Sequence, residues 1–544
     1  MVSQVSVAAG GRDWSLRPTY PWVADQQDGT YVNPILCADY SDPDVIRHGE
    51  DFYLTASSFN CTPALPVLHS RDLVNWTIVN HAVEILPHER FEQVQHGCGV
   101  WAPAIRFHAG KFYLFFPMPD EGIYVVTANH PAERWSQPHL VQEGKGLIDP
   151  CPLWDEDGSA YLVHAYAGSR AGIKHKLRVR PMAPDASRLL GPGKIVFEDV
   201  KHHPTLEGPK YLKKDGWYYI LAPAGGVATG WQLVLRSRSI YGPYAARIVL
   251  ERGSTPINGP HQGALVDLPG GEWWFIHFQE LQPYGRVVHL QPVTWEDGWP
   301  LMGVDWDGNG IGEPVARYRK PNLGRIYPPA TPQTSDEFDH PLLGLQWQWH
   351  ASHRREWYSL TARKGWLRLF AIELEGYDLS RAPNLLLQKF PARAFAFETR
   401  VAFTPRLAGQ RAGLVVMGRE HAALILRQSG VGVAVAMVIN GQEVAAREAA
   451  QGEMDLRVEV QDGGECTFST TAGGGELRAL GIPFRAVEGH WIGAKIGLFS
   501  TMEDEGDTDG FADFDYVRFS SLKHQDDAED GAVDSAEVCV QGRL

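Results

Sequence analysis

The alternation of apolar and polar positions repeats along residues 31–325 as one short phrase. A polar or aromatic lead residue comes first, then a short apolar strand, a glycine turn and an aromatic-rich strand. The phrase runs from Asp42 to Thr55, from Trp101 to Leu114, from Asp149 to Leu162, from Glu207 to Ile220 and from Gln262 to Phe275. In the fourth copy, Lys214-Asp215-Gly216 sits between Tyr211-Leu212 and Trp217-Tyr218, the pattern of a tight hairpin. Leads recur at about 50–60 positions, and a self-similar strand-and-turn unit of that length reads as a propeller blade. Five copies predict five blades. After the Pro-rich stretch Tyr327–Pro332 the texture changes. Runs such as Phe395–Phe403, Gly413–Met417, Ala422–Leu426 and Val431–Met437 fit a two-sheet sandwich with apolar inner faces. The predicted class is all-β: a five-bladed β-propeller followed by a β-sandwich. The predicted organisation is an N-terminal extension (1–30), a propeller (31–325), a sandwich (335–522) and a disordered acidic tail (523–544). The extension carries Trp14, Tyr20 and Trp22 and is expected to pack on the propeller or the sandwich.

Composition supports this without sharpening it. The chain has 544 residues, enough for several domains with sizeable cores. Its 56 glycines and 18 tryptophans suit an all-β protein rich in turns. A net charge of −15 argues against a nucleic-acid partner. No run of about 18 apolar residues is present, so no membrane-spanning helix is expected. Residues 1–20 contain no apolar core of a signal peptide, so the protein is expected to be cytoplasmic, or periplasmic or secreted if a leader has been removed. Six cysteines show no metal-ligand spacing; free thiols are expected, with a pair among Cys37, Cys61, Cys98 and Cys151 as the alternative. Asn60-Cys-Thr and Asn75-Trp-Thr match the glycosylation pattern, which is common by chance.

The chemistry follows from topology. The innermost strands of a propeller start on one common face, so the five leads converge around the axis: Asp42, Trp101, Asp149, Glu207 and Gln262. Three carboxylates and a tryptophan then share one pocket. Crowded carboxylates cannot all stay charged near neutral pH, so at least one pKa rises. A protonated acid facing an ionised base is the equipment for cleaving a glycosidic bond. Phe59 follows the second strand of the first blade and can offer its ring to a sugar. His261 precedes the fifth lead and is placed to hold a water or a metal at the axis. Arg286 can bond sugar hydroxyls or hold Asp42 ionised.

These residues carry a resemblance. The phrase Asn33-Pro-Ile-Leu-Cys-Ala-Asp-Tyr-Ser-Asp-Pro43, with the three carboxylate leads at blade spacing, resembles family 43 glycoside hydrolases of the β-xylosidase and α-L-arabinofuranosidase type. The resemblance implies Asp42 as general base, Glu207 as general acid, and Asp149 as the carboxylate that orients the acid and tunes its pKa. It implies an inverting exo-enzyme that releases a terminal pentose from hemicellulose oligosaccharides, with Phe59, Trp101, His261 and Arg286 lining the sugar pocket. It also implies a sandwich behind the propeller whose loop closes the pocket with an aromatic. At the aligned place, Gly493–Gly497, this sequence has Lys495, which departs from the pattern.

No cofactor is required by this reading. The resemblance also implies a structural calcium near His261 at the axis, coordinated by water. Asp305-Trp-Asp-Gly-Asn-Gly310 repeats half of a calcium loop but has Ala316 where the closing glutamate belongs, so it reads as a turn. The alternative functions are a non-catalytic carbohydrate-binding protein and a retaining fructosidase. The fructosidase needs a Glu-Cys acid motif in the propeller, and the Glu465-Cys466 pair lies in the sandwich.

Overall fold

The computed structural model describes residues 20–522 except 407–408, 431, 450–451, 472–474 and 504–509. Residues 1–19 of the expected extension, the expected acidic tail and Cys539 lie outside the described residues.

The described propeller residues form five antiparallel four-stranded sheets, each built from consecutive strands. Blade 1 is Asp44–His48, Asp51–Thr55, Ala64–Ser70 and Trp76–Val83. Blade 2 is Ala104–His108, Lys111–Met118, Gly122–Ala128 and His139–Glu143. Blade 3 is Leu147–Trp154, Ala160–Tyr166, Lys176–Met182 and Lys194–Glu198. Blade 4 is Lys210–Lys214, Trp217–Ala224, Trp231–Ser237 and Ala245–Leu250. Blade 5 is His261–Asp267, Trp273–Glu280, Arg286–Glu296 and Trp299–Met302. The hairpin read from sequence is present: Lys214 pairs with Trp217 across Asp215 and Gly216, whose φ angles are 52° and 70°. Both central residues are left-handed, the twist that a two-residue hairpin needs.

Short apolar strands bury both faces between neighbouring blades. Val45, Leu54 and Trp76 of blade 1 share one core with Ala264, Ile276 and Leu290 of blade 5. Each such fully buried aliphatic or phenylalanine side chain contributes about 1.5–3 kcal/mol of transfer free energy. Ion pairs tie the inner strands across blades, Arg106 to Asp44 at 2.6 Å and Arg47 to Asp267 at 2.6 Å. The ring is stitched from its beginning: Thr30–Val32 pairs with Arg317–Arg319, and Leu36 bridges to Val288. The described part of the extension touches both domains, since Trp22 packs on the sandwich core and Asp25 pairs with Lys320 at 2.6 Å.

The second domain is a sandwich. One sheet runs Gln348–Trp349, Leu386–Lys389, Lys495–Met502, Arg411–Met417, His421–Ser429, Gly432–Ile439 and Gln442–Ala449. The facing sheet runs Tyr358–Ser359, Leu367–Phe370, Phe511–Ser521, Phe395–Phe403, Gly452–Val460, Glu465–Thr470 and Arg478–Ala479. Phe395, Phe397, Val401 and Phe403 face inward against Leu414, Val416 and Leu498, as the period-two pattern requires.

The two domains are joined by backbone and side-chain bonds. Thr62 and Trp349 exchange N–H···O bonds of 3.1 and 2.6 Å. Tyr284 of the propeller is buried in the sandwich core, and its hydroxyl donates to Arg393 O at 2.8 Å. The linker is held too, with Ala330 N donating to Asn75 Oδ1 at 2.9 Å. Asn60 and Asn75 are buried in these contacts, which removes them as glycan acceptors in the folded protein.

Candidate active site

The five leads do converge. Asp42, Trp101, Asp149, Glu207 and Gln262 line one cavity of about 490 Å³, together with Phe59, Arg286 and Trp491. Asp42, Asp149 and Gln262 carry positive φ angles of 55°, 56° and 38°. Non-glycine residues in that region cost about 1–3 kcal/mol each and collect at functional sites. Here the twist turns each lead out of its blade and toward the axis.

Asp42 is 5% exposed and held by three donors. Arg286 Nη1 donates to Oδ1 at 2.9 Å, while Ser57 Oγ and Ser41 Oγ donate to Oδ2 at 2.6 and 2.8 Å. Charge-assisted bonds of this kind are short and fix the carboxylate's orientation. Arg286 is fixed in turn by Ser41 Oγ at 2.8 Å, and its guanidinium lies 4.8 Å from the centre of the Phe278 ring.

Asp149 is in the opposite situation. Burial pushes its carboxyl up to about 7, and the nearby Glu207 and Asp42 push in the same direction. The N–H of Gly208, donating at 2.8 Å, opposes the rise. Near neutral pH, Asp149 is therefore partly protonated.

Glu207 stands on the turn into blade 4, with its N–H on Pro223 O at 3.2 Å and its side chain 29% exposed to the cavity. Its Oε1 lies 3.1 Å from His261 Nε2. Gly208 makes this turn possible: its φ is 60°, and a Cβ there would sit 2.9 Å from Gln262 Cγ. Asp149 thus grips the residue after the expected acid, and His261 touches the acid itself.

Aromatic groups complete the cavity. Phe59 and Trp101 have ring centroids 6.3 Å apart and meet at 56°. Arg170 lies over the Trp101 ring at 5.0 Å. Phe59 is fixed by paired bonds with Val100, 2.8 and 2.9 Å, against which Gly99 must be glycine: its Cβ would meet Phe59 O at 2.2 Å.

Two expectations need correction. His261, expected among the sugar-lining residues, is absent from the cavity wall; it is 1% exposed and backs Glu207 from behind. Lys495 does not stand in for the sandwich aromatic. It is buried, with Nζ donating to Gln348 Oε1 at 3.2 Å, and the aromatic is Trp491, four residues earlier. Trp491 is 52% exposed at φ 65°, on a loop closed by the Gly489 N–H donating to Ile492 O at 2.8 Å. A tryptophan between glycines, Gly489-His-Trp-Ile-Gly493, was the available signal. Arg170 and Ser57 had no such signal, because each is brought to the site only by the fold.

The calcium expectation can be set against the donor set. His261 offers one free nitrogen, Nδ1, which is buried and has no hydrogen-bond partner among the described residues. Calcium takes six to eight oxygens. Among the described residues no group of three or more His, Cys, Asp or Glu is arranged to hold a metal. The Asp305 carboxylate is taken up by its own turn, accepting from Gly308, Asn309 and Gly310 at 2.8, 3.1 and 2.9 Å. A calcium beside His261 would therefore take one protein nitrogen and draw its remaining ligands from water. Cys37, Cys61, Cys98, Cys151 and Cys466 are free thiols.

The family model for glycosyl hydrolases family 43 matches residues 31–300, and that for the β-xylosidase C-terminal concanavalin A-like domain matches 335–520. The chain belongs to glycosyl hydrolase family 43. It is an inverting glycosidase acting on an oligosaccharide substrate. A candidate β-xylosidase of Xylanibacter ruminicola is 41% identical over 503 residues, 90% of each chain. A β-xylosidase of Formosa agariphila is 33% identical over 91% of each chain. Among solved structures, a family 43 protein of Bacillus licheniformis superposes with a TM-score of 0.79 at 26% identity, covering 91% of this chain and all of that one.

Proposed function

We propose that this family 43 enzyme releases one terminal pentose from hemicellulose oligosaccharides, with Asp42 as base and Glu207 as acid. The observation that carries the reading is the unequal treatment of the carboxylates in one cavity. Asp42 is held by an arginine and two hydroxyls, whereas Asp149 is kept near neutrality beside Glu207. Asp42, ionised, takes a proton from a water. That water attacks the anomeric carbon from the face opposite the leaving oxygen. Glu207 gives its proton to that oxygen, and the bond breaks with inversion. Asp149 acts through the turn, holding Gly208 and placing a titratable charge beside the acid. Phe59 and Trp101 offer ring faces to the sugar, Arg286 orders Asp42, and Trp491 stands on the leaving-group side. The reaction as proposed takes no cofactor.

The sugar is read from relatives on both sides. The Formosa agariphila relative is named a β-xylosidase, and a Bacteroides ovatus relative, 29% identical over 91% of this chain and 95% of its own, a non-reducing-end α-L-arabinofuranosidase. We assign this chain activity on both pentoses, whose hydroxyls are similarly disposed. Parallel turnover of nitrophenyl β-D-xylopyranoside and α-L-arabinofuranoside, with Glu207→Ala as control, tests it. Hydrolysis of both, reduced in the variant, supports the reading, and hydrolysis of one alone restricts the enzyme to that pentose. No hydrolysis of either by the parent overturns it.

A further inference from the structure

Asp39 lies three residues before Asp42 and outside the cavity wall, 3% exposed. Its two oxygens face two different domains. Oδ1 accepts from the backbone N–H of Arg286 at 2.8 Å, and Oδ2 accepts from the backbone N–H of Gly493 at 3.1 Å. Arg286 is the residue that holds Asp42, and Gly493 closes the sandwich loop that carries Trp491. One buried carboxylate therefore joins the arginine of the reacting side to the aromatic of the leaving-group side.

The surrounding contacts are built for close approach. Gly285 has φ 72°, and a Cβ on it would sit 2.5 Å from Asp39 Oδ1 and 2.7 Å from Gly493 Cα. A Cβ on Gly493 would sit 2.8 Å from Gly285 N and 2.9 Å from Tyr284 C. Beside them, Ala494 N donates to Pro283 O at 2.7 Å. Two glycines thus let backbones of two domains touch, and Asp39 caps the gap. A buried carboxylate taking two N–H donors satisfies both, and its loss leaves at least one donor unpaired.

We propose that Asp39 is a positioning residue that latches the 489–494 loop to the propeller and so sets Trp491 against the leaving group. This rests on the reading of the cavity given above. Asp39→Asn keeps the shape and exchanges one acceptor for a donor, so one of the two N–H groups loses its partner. The loop then loosens, and substrates with a sugar leaving group suffer more than substrates without one.

Two measurements on the full chain test it. Hydrogen exchange of the segment around Gly493 reads the latch directly, whatever sugar is cleaved: faster exchange in Asp39→Asn is expected, and unchanged exchange overturns the latch. Kinetics read the consequence. With a pentosyl disaccharide, KM is expected to rise about tenfold, the size of one misplaced aromatic contact. The rise should exceed that for the corresponding pentosyl fluoride at least fivefold. In a Trp491→Ala background, Asp39→Asn should add little further loss on the disaccharide. Equal losses on both substrates, or full additivity with Trp491→Ala, overturn the proposed role. A parent inactive on every pentoside would overturn the functional reading while the exchange experiment still decides the latch.

Discussion

The backbone N–H of Gly208 donates to Asp149 Oδ2 at 2.8 Å, so a carboxyl held up to about 7 grips the turn that carries Glu207. The folded state keeps this proton to higher pH than the unfolded chain, whose ordinary value is 3.8. A raised carboxyl destabilises the folded state as it ionises, so stability from this group falls as pH rises from about 4 to 7. Below that window both states are protonated and the group is neutral to stability. Replacing it by an amide removes the penalty. Asp149→Asn is therefore expected to gain on the parent by a few kcal/mol at pH 8 relative to pH 4. Thermal or denaturant unfolding at the two pH values reads this directly, and a constant difference between the proteins would contradict it.

Glu207 presents a part-exposed carboxyl to the cavity on a turn fixed from two sides. If it donates the proton to the leaving oxygen, the penalty for its removal scales with how much the leaving group needs one. Glu207→Gln should lower kcat about 10²–10⁴-fold on an unactivated pentosyl disaccharide. On a dinitrophenyl pentoside, whose leaving group departs unaided, the loss should be markedly smaller. Equal losses on the two substrates would assign Glu207 a role other than acid.

Arg286 places one nitrogen between Ser41 Oγ at 2.8 Å and Asp42 Oδ1 at 2.9 Å. Lysine keeps the charge but not the planar fork, and its ammonium lacks the reach set by the guanidinium over Phe278. Arg286→Lys is expected to cost about tenfold to a hundredfold in kcat/KM, that is about 1.4–3 kcal/mol of transition-state stabilisation. Unchanged kcat/KM in a folded variant would remove Arg286 from the machinery.

Much of this was legible because propeller blades are local. Each lead, strand, turn and strand lies within one stretch, so the aromatic-rich copies from Asp42 to Gln262 announce both the blades and the shared face where the leads meet. The sandwich strands were legible for the same reason: from Phe397 to Phe403 burial alternates residue by residue. What stayed hidden depends on contacts between distant segments. Trp491 lies on an irregular loop without a period, and the family resemblance places the aromatic at Gly493–Gly497, where Lys495 is buried in a strand. Asp39 sits inside the opening signature, yet nothing local shows that its partners are Arg286 and Gly493. Ser57 and Arg170 are ordinary polar residues until the chain closes around them.

His261 shows how proximity to the axis differs from contact with substrate. Its place just before the fifth lead suggests a sugar or metal ligand, but the ring is buried against Phe278, 5.6 Å between centroids, with Nε2 turned to Glu207 at 3.1 Å. A residue that holds the acid changes the chemical step, whereas one that holds the sugar changes binding. His261→Phe keeps the bulk of the ring and removes the bond to Glu207. The expected result is a fall in kcat of about tenfold with KM within about twofold, the loss of one hydrogen bond to the acid. It should shrink on the dinitrophenyl substrate, where proton donation matters less. A rise in KM with kcat preserved would return His261 to the role of a sugar ligand.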